Sequence, residues 1–248
     1  APAKAIASYI SDILQKASSK ALKNFLDDIA KNPALKNVPE DTFVKALLEM
    51  GARKIVVSLA KAPLNPAHER RCREIVLADY PAHYLGTVPL LLSTEGSREL
   101  DDQHRTNAAL INAYIHQEMA RYLYKADEDV RNRRCKYPLL IVHATGGVAR
   151  VAKTKALDTC DSGPAAGLLG AAFLARKYGL EQVVTVDVGG TSTDIGLVSR
   201  GEPSYNEERK ISGVAIKERF IESISIGGGG SSKARVQGAA KQLKVGPE

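Results

Sequence analysis

The chain has 248 residues, 44% apolar and 25% charged, with 20 Gly and 11 Pro. That composition is ordinary for a globular protein and excludes collagen, a coiled coil and wholesale disorder. The 35 Lys and Arg against 28 Asp and Glu leave a net charge of +7, which suits an anionic ligand, an acidic partner or nucleic acid without selecting among them.

Cys72, Cys135 and Cys160 lie far apart and form no CxxC. Neither a disulfide framework nor a thiolate zinc site is indicated, and a cytoplasmic location is expected. No run approaches the roughly 18 apolar residues of a membrane span. The tightest basic group, Arg131, Arg133, Arg134 and Lys136, follows Asp127, Glu128 and Asp129 and reads as a solvated helix end. Zinc-finger spacing and a basic-region zipper are both absent, so nucleic acid is not the expected partner. The opening Ala1-Pro2-Ala3-Lys4 and the closing Lys244-Val245-Gly246-Pro247-Glu248 read as cuts in a longer protein.

In chain order, apolar residues three and four apart predict a helix within 3–30 and a short one over 40–50, stopped by Gly51. Residues 54–59 predict a strand. Residues 66–78 predict a helix capped by Asn65, with Pro66 in its first turn. Residues 84–92 predict a strand interrupted at Pro89, and 104–125 the longest helix. Residues 139–142 predict a strand that ends in His143-Ala144-Thr145-Gly146-Gly147. Ser162-Gly163-Pro164 opens a helix to Tyr178 rich in small residues, with Gly179 as its C-cap. Strands follow at 183–187 and 192–198, joined by Val188-Gly189-Gly190-Thr191. The alternation of strands and helices predicts an α/β fold with a mixed or parallel sheet. The last two strands predict a hairpin.

That hairpin carries the chemistry. In Asp187-Val188-Gly189-Gly190-Thr191-Ser192-Thr193-Asp194 the glycines let backbone N–H groups approach an anion. Thr191, Ser192 and Thr193 add hydroxyl donors, and Asp187 and Asp194 could hold a hydrated divalent cation. The same residues would also make a plain hairpin turn. Walker A and dinucleotide fingerprints are absent. Gly227-Gly228-Gly229-Gly230-Ser231-Ser232 is a second anion-ready segment or, equally, a linker. His143 is as readily structural as catalytic. Ser162-Gly163-Pro164 reads as an N-cap before an anion site, and His104 with Asp101 and Asp102 as a capped helix start.

The eight residues from Asp187 to Asp194 closely resemble the D-[MIV]-G-G-T-S-T-D signature of the hydantoinase A/5-oxoprolinase family, which includes a subunit of acetone and acetophenone carboxylases. Other matches follow in the family's order. Asn65-Pro66-Ala67-His68-Glu69 is similar to NPxHE, and Leu92-Ser93-Thr94-Glu95-Gly96 keeps a family-like Ser and Glu. Arg105-Thr106-Asn107 with Asn112-Ala113-Tyr114 is similar to ERxxT…NAY. Gly146-Gly147 resembles SNGG, Ser162-Gly163-Pro164-Ala165-Ala166-Gly167 resembles SGPAGG, and Val245-Gly246-Pro247-Glu248 resembles the start of VGPxSAGAxPGP. Three segments depart: Ala144-Thr145 replaces SN, Gly227-Gly228-Gly229-Gly230-Ser231-Ser232 replaces GAGGGS, and Asp102-Gln103-His104-Arg105 replaces EYER.

The resemblance implies an actin-like, sugar-kinase-like ATPase fold of two α/β lobes. The family's first phosphate hairpin does not precede residue 187 here. Residues 1–160 are therefore expected to be the later part of the first lobe, and 161–248 the opening of the second. The implied activity is ATP-dependent activation of a cyclic amide oxygen by phosphorylation before hydrolysis. The alternatives are the ketone carboxylase branch and a non-catalytic structural subunit, and turnover by this chain alone stays open. The implied cofactors are ATP and Mg. Gly189, Gly190, Thr191, Ser192 and Thr193 would meet phosphate, with Asp187 on hydrated Mg. Asp194 would orient water or the hairpin, and Gly228, Gly229, Gly230 and Ser231 would meet nucleotide or the other lobe. The implied partners are a small amide or ketone substrate and a second, hydantoinase B-like subunit.

Overall fold

The computed structural model describes Val44 and residues 54–83, 89–211, 213–237 and 242–246. The helices expected over 3–30 and 40–50 lie outside the described residues, apart from a helical, buried Val44, as do residues 84–88. The fold is mixed α/β, in two compact units. One comprises Ala1–Ile115 with Glu208–Lys217, the other His116–Glu207 with Glu218–Glu248. This division falls at 115/116, within a helix, whereas motif order draws a lobe boundary at 160/161.

In the first unit, β1 (Ile55–Val57) pairs in parallel with β2 (Leu90–Leu92), Ile55 opposite Leu90. Parallel neighbours need a crossover, and α1 (Ala67–Asp79) lies within it. Val76 of α1 packs with Val44 and Ile55, flanked by Val57, Tyr80 and Leu90. Asn65 lies one residue before the cap position expected of it, its Oδ1 accepting from Ala67 N at 3.1 Å. Pro66, however, occupies the cap position and not the first turn. The strand expected from residue 84 is described as the three residues after Pro89, and a short α2 (Ser93–Gly96) follows it. The long helix α3 (Asp102–Asn132) continues past the expected end at 125. Lys125–Asp129 and Asp127–Arg131 pairs, both at i,i+4 and 2.7 Å, brace the added turns.

The second unit begins within α3. Its strands β3 (Leu140–Val142) and β4 (Val148–Arg150) form an antiparallel hairpin turning at Gly146, whose φ is +87°. Two short 3-10 turns, Val151–Lys153 and Ala156–Thr159, lead to α4 (Ser162–Tyr178), which ends on a left-handed Gly179 as expected. Then come β5 (Gln182–Val188), β6 (Thr193–Ser199) and β7 (Glu202–Pro203). The paired strands β8 (Tyr205–Ile211) and β9 (Val214–Ile221), of which Glu208–Lys217 belongs to the first unit, lead to β10 (Ile224–Ile226). Strands β11 (Lys233–Gln237) and β12 (Gln242–Gly246) close the chain as an antiparallel pair. The site sheet has the order β10-β6-β5, with β7 on β6.

Helix α4 covers one face of that sheet. Ala165, Leu168, Ala172 and Ala175 form a buried cluster with Val198 and Ile221. The small residues let the helix backbone approach closely. Leu168 fills the space left by Gly196, where a Cβ would lie 2.4 Å from its Cδ2. Burying such a leucine contributes about 1.5–3 kcal/mol. The strand period of two is visible along β5: Val183 packs toward the helix, while Val184, Val186 and Val188 are exposed.

Candidate functional site

Strands β5 and β6 stay in register from Gln182 opposite Ser199 to Val188 opposite Thr193, leaving residues 189–192 as the turn. Gly189 N donates to Ser192 O at 2.9 Å and closes it. Because β10 pairs with β6, with Ile226 opposite Thr193, the second glycine-rich loop starts beside this turn. The two loops are laced together. Gly230 N donates to Gly189 O at 2.9 Å, and Ser231 N to Gly190 O at 2.8 Å. Thr193 Oγ1 donates to Gly228 O at 2.6 Å, and Gly229 N to Ser232 Oγ at 2.8 Å. A Cβ on Gly229 would lie 2.5 Å from Gly189 O, so no larger residue fits without movement.

The structure thus brings both predicted segments to one place but gives them different hydrogen-bond partners. The Thr193 hydroxyl and the N–H groups of Gly229, Gly230 and Ser231 are engaged with protein acceptors. The N–H groups of Gly190, Thr191 and Ser192 meet no protein acceptor among the described residues. Gly189, Gly190 and Thr191 are exposed.

Beside the turn lies a cleft of about 220 Å³ whose lining includes Pro164, Gly167, Thr185, Asp187, Asp194 and Ser223. Asp187, exposed, and Asp194, half-buried, are direct register partners. Like charges so placed repel, and a cation between them relieves that repulsion. Neither has a cationic partner among the described residues. The start of α4 supplies the opposite sign. Its cap residue is Asp161, left-handed at φ 60° and making no side-chain cap bond; Ser162 is the first helical residue and not the cap expected from sequence. A helix start carries partial positive charge. Free N–H groups suit phosphate oxygens, and two carboxylates suit a cation that keeps much of its water. No group of three or more His, Cys, Asp or Glu side chains that could hold a metal occurs among the described residues.

The remaining sequence candidates have protein partners of their own. His143 is buried, with Nε2 3.1 Å from Thr154 Oγ1 and Nδ1 3.8 Å from Asp158 Oδ2. Asp101 caps α3, accepting from His104 N at 2.8 Å and lying 2.7 Å from its ring. Those two bonds hold the Asp101 carboxyl below its usual range. The basic group at 131–136 is exposed, as a solvated helix end should be. No described helix is long and apolar enough to cross a membrane.

A polar network that sequence reasoning missed lies buried in the first unit. Glu69, Ser93 and Arg105 are each 0% exposed. Glu69 Oε1 accepts from Leu59 N (3.0 Å) and Ser93 Oγ (2.6 Å), and its Oε2 from Thr94 N (3.1 Å) and Thr94 Oγ1 (2.7 Å). The Ser93 hydroxyl in turn accepts from Arg105 Nε at 2.9 Å. The guanidinium also donates to Glu99 O, Leu59 O and Asp102 Oδ1. Burial pushes the Glu69 carboxyl up, but the bonds from Ser93, Leu59 and Thr94 together hold it below the usual range. Arg73 clamps both carboxylate oxygens of Glu95 at 2.5 Å, which raises its own pKa. The signal in the sequence was the Glu of one motif match, the Ser of another and the Arg of a third; their spacing says nothing of their meeting.

A hydantoinase/oxoprolinase family model matches residues 105–248. The gamma subunit of acetophenone carboxylase from Aromatoleum aromaticum is 36% identical over 207 residues, 83% of this chain and 28% of that protein. The nucleotide-free structure of acetone carboxylase, from work on ATP-dependent acetone carboxylation, is similar with a TM-score of 0.73 and 27% identity. It covers 84% of this chain and 29% of that one. The ATP-dependent caprolactamase of Pseudomonas jessenii is similar with a TM-score of 0.68 and 26% identity, over 84% and 30% of the two chains. The chain thus spans less than a third of the length of these relatives.

Proposed function

Since this chain belongs to the hydantoinase/oxoprolinase family, we propose that it is the phosphate-gripping segment of an ATP-dependent subunit that activates a substrate oxygen. One observation carries this reading. The turn at 189–192, exposed at Gly189, Gly190 and Thr191, offers three N–H groups without protein acceptors among the described residues, beside a cleft lined by the opposed Asp187 and Asp194. When bound, MgATP supplies the phosphoryl group that turns a poor leaving oxygen into a good one. The N–H groups of Gly190, Thr191 and Ser192 would hold phosphate oxygens and offset their charge. Asp187 and Asp194 would hold a hydrated Mg²⁺. The open start of α4 adds positive potential on the same side of the sheet.

The whole protein, on this proposal, has the actin-like ATPase fold, with 1–160 late in its first lobe and 161–248 opening the second. Of the two branches, the ketone carboxylase has the stronger support. The 36% identity to an acetophenone carboxylase subunit stands above the 27% to the caprolactamase alpha subunit of Pseudomonas jessenii. The activated oxygen would then belong to a ketone enolate or bicarbonate, and in the hydrolase branch to a cyclic amide. These relatives are themselves subunits, which supports a second, hydantoinase B-like partner. Calorimetric titration of the full-length protein with MgATP tests the reading. Tight binding by wild type and weak binding by Asp187→Asn are expected. Phosphate release stimulated by a ketone with bicarbonate, or by a lactam, assigns the branch. No binding by wild type would leave the structural-subunit reading.

A further inference from the structure

The loop at 227–232 was expected to meet nucleotide or the other lobe, and its N–H groups at Gly229, Gly230 and Ser231 are engaged with protein acceptors. Gly230 and Ser231 donate to the carbonyls of Gly189 and Gly190. A trans peptide points its C=O and N–H in opposite directions within one plane, and the described residues include no cis peptide. Gly189 O shares its plane with the N–H of Gly190, and Gly190 O with that of Thr191. Fixing these two carbonyls toward the second loop therefore turns the next two N–H groups away from it, where they meet no protein acceptor among the described residues. Glycine peptides would otherwise rotate freely, and a flipped plane would present a carbonyl to an anion.

Resting on the phosphate reading above, we infer that the 227–232 loop is a positioning brace: it selects the peptide orientation of the 189–191 turn and is not itself a nucleotide contact. Gly229 is the residue that permits this. Its missing Cβ lets the loops approach to hydrogen-bond distance, since any Cβ would lie 2.5 Å from Gly189 O and 2.9 Å from Gly190 C. The Thr193 hydroxyl, bonded to Gly228 O, pins the other end of the brace. Gly229 and Thr193 act on phosphate through the turn.

The test joins amide hydrogen exchange to nucleotide titration on the full-length protein. In wild type without ligand, the amides of Gly230 and Ser231 exchange slowly and those of Gly190 and Thr191 fast. Adding MgADP or inorganic phosphate slows Gly190 and Thr191 by about tenfold or more. In Gly229→Ala the ligand-free protection of Gly230 and Ser231 is lost, and affinity for MgADP falls about tenfold. Thr193→Val loosens the same two amides before any ligand is added, and Thr193→Ser restores them; a hydroxyl that only touched phosphate would leave the free protein unchanged. Wild-type protein that ignores MgADP and phosphate would overturn the phosphate reading and this inference with it. Wild-type binding matched by equal binding in Gly229→Ala, or fast exchange at Gly230 and Ser231 in free wild type, would overturn the brace alone.

Discussion

The buried Glu69–Ser93–Arg105 network and the 189–192 turn are both polar, both built from motif matches, and opposite in design. In the network both Glu69 oxygens accept two bonds and the guanidinium has four acceptors. All three residues are fully buried. In the turn, three consecutive N–H groups meet no acceptor among the described residues, and Gly190 and Thr191 face solvent. A satisfied buried network fixes a structure; unsatisfied, exposed and braced donors await a ligand. Resemblance to a motif does not by itself say which of the two a residue serves.

The largest effect should come from breaking the network. Arg105→Ala or Glu69→Ala should cost about 3–5 kcal/mol by leaving several buried donors or acceptors without their hydrogen-bond partner, each such loss costing about 1–3 kcal/mol. Urea denaturation measures it, and MgATP affinity of the folded protein should be unchanged. A variant with normal stability and lost affinity would erase the contrast. Next, Gly196→Ala should cost about 1–3 kcal/mol by driving a methyl into Leu168. Asp187→Asn should invert the pattern, with a melting temperature close to wild type and MgATP affinity lower by about tenfold, roughly 1.4 kcal/mol. Acid stability sharpens the contrast further. The folded Glu69 carboxyl lies below its ordinary range. Its contribution is therefore present above the unfolded value of about 4.3 and is lost as pH falls through the lower folded value. Glu69→Gln should flatten that acid limb in denaturation midpoints taken between about pH 3 and 6. Smallest of all, Arg131→Ala removes an exposed partner of Asp127 and should change stability by less than about 0.5 kcal/mol.

The hairpin was legible because its evidence is local. Two apolar strands flank Gly189-Gly190, and β10 enters beside them through Ile224 and Ile226. The bounds of α4 were legible for the same reason, a small-residue stripe closed by Gly179. The far end of α3 was not, because the ion pairs that extend it carry no hydrophobic period. The lacing of the two loops joins residues about 40 apart in the chain through backbone atoms, which no side-chain pattern reports. The network is non-local in the same way: Ser93 joins Glu69 and Arg105 once β2 and α2 have carried it between them.

The fit of Leu168 into the space at Gly196 has an evolutionary corollary. Neither position can enlarge alone, since a first step at either one meets the other's atoms. Relatives bearing a side chain at the position of Gly196 should carry a shorter one at that of Leu168. The two columns should drift together, a signature of lineage that can be sought without purifying anything.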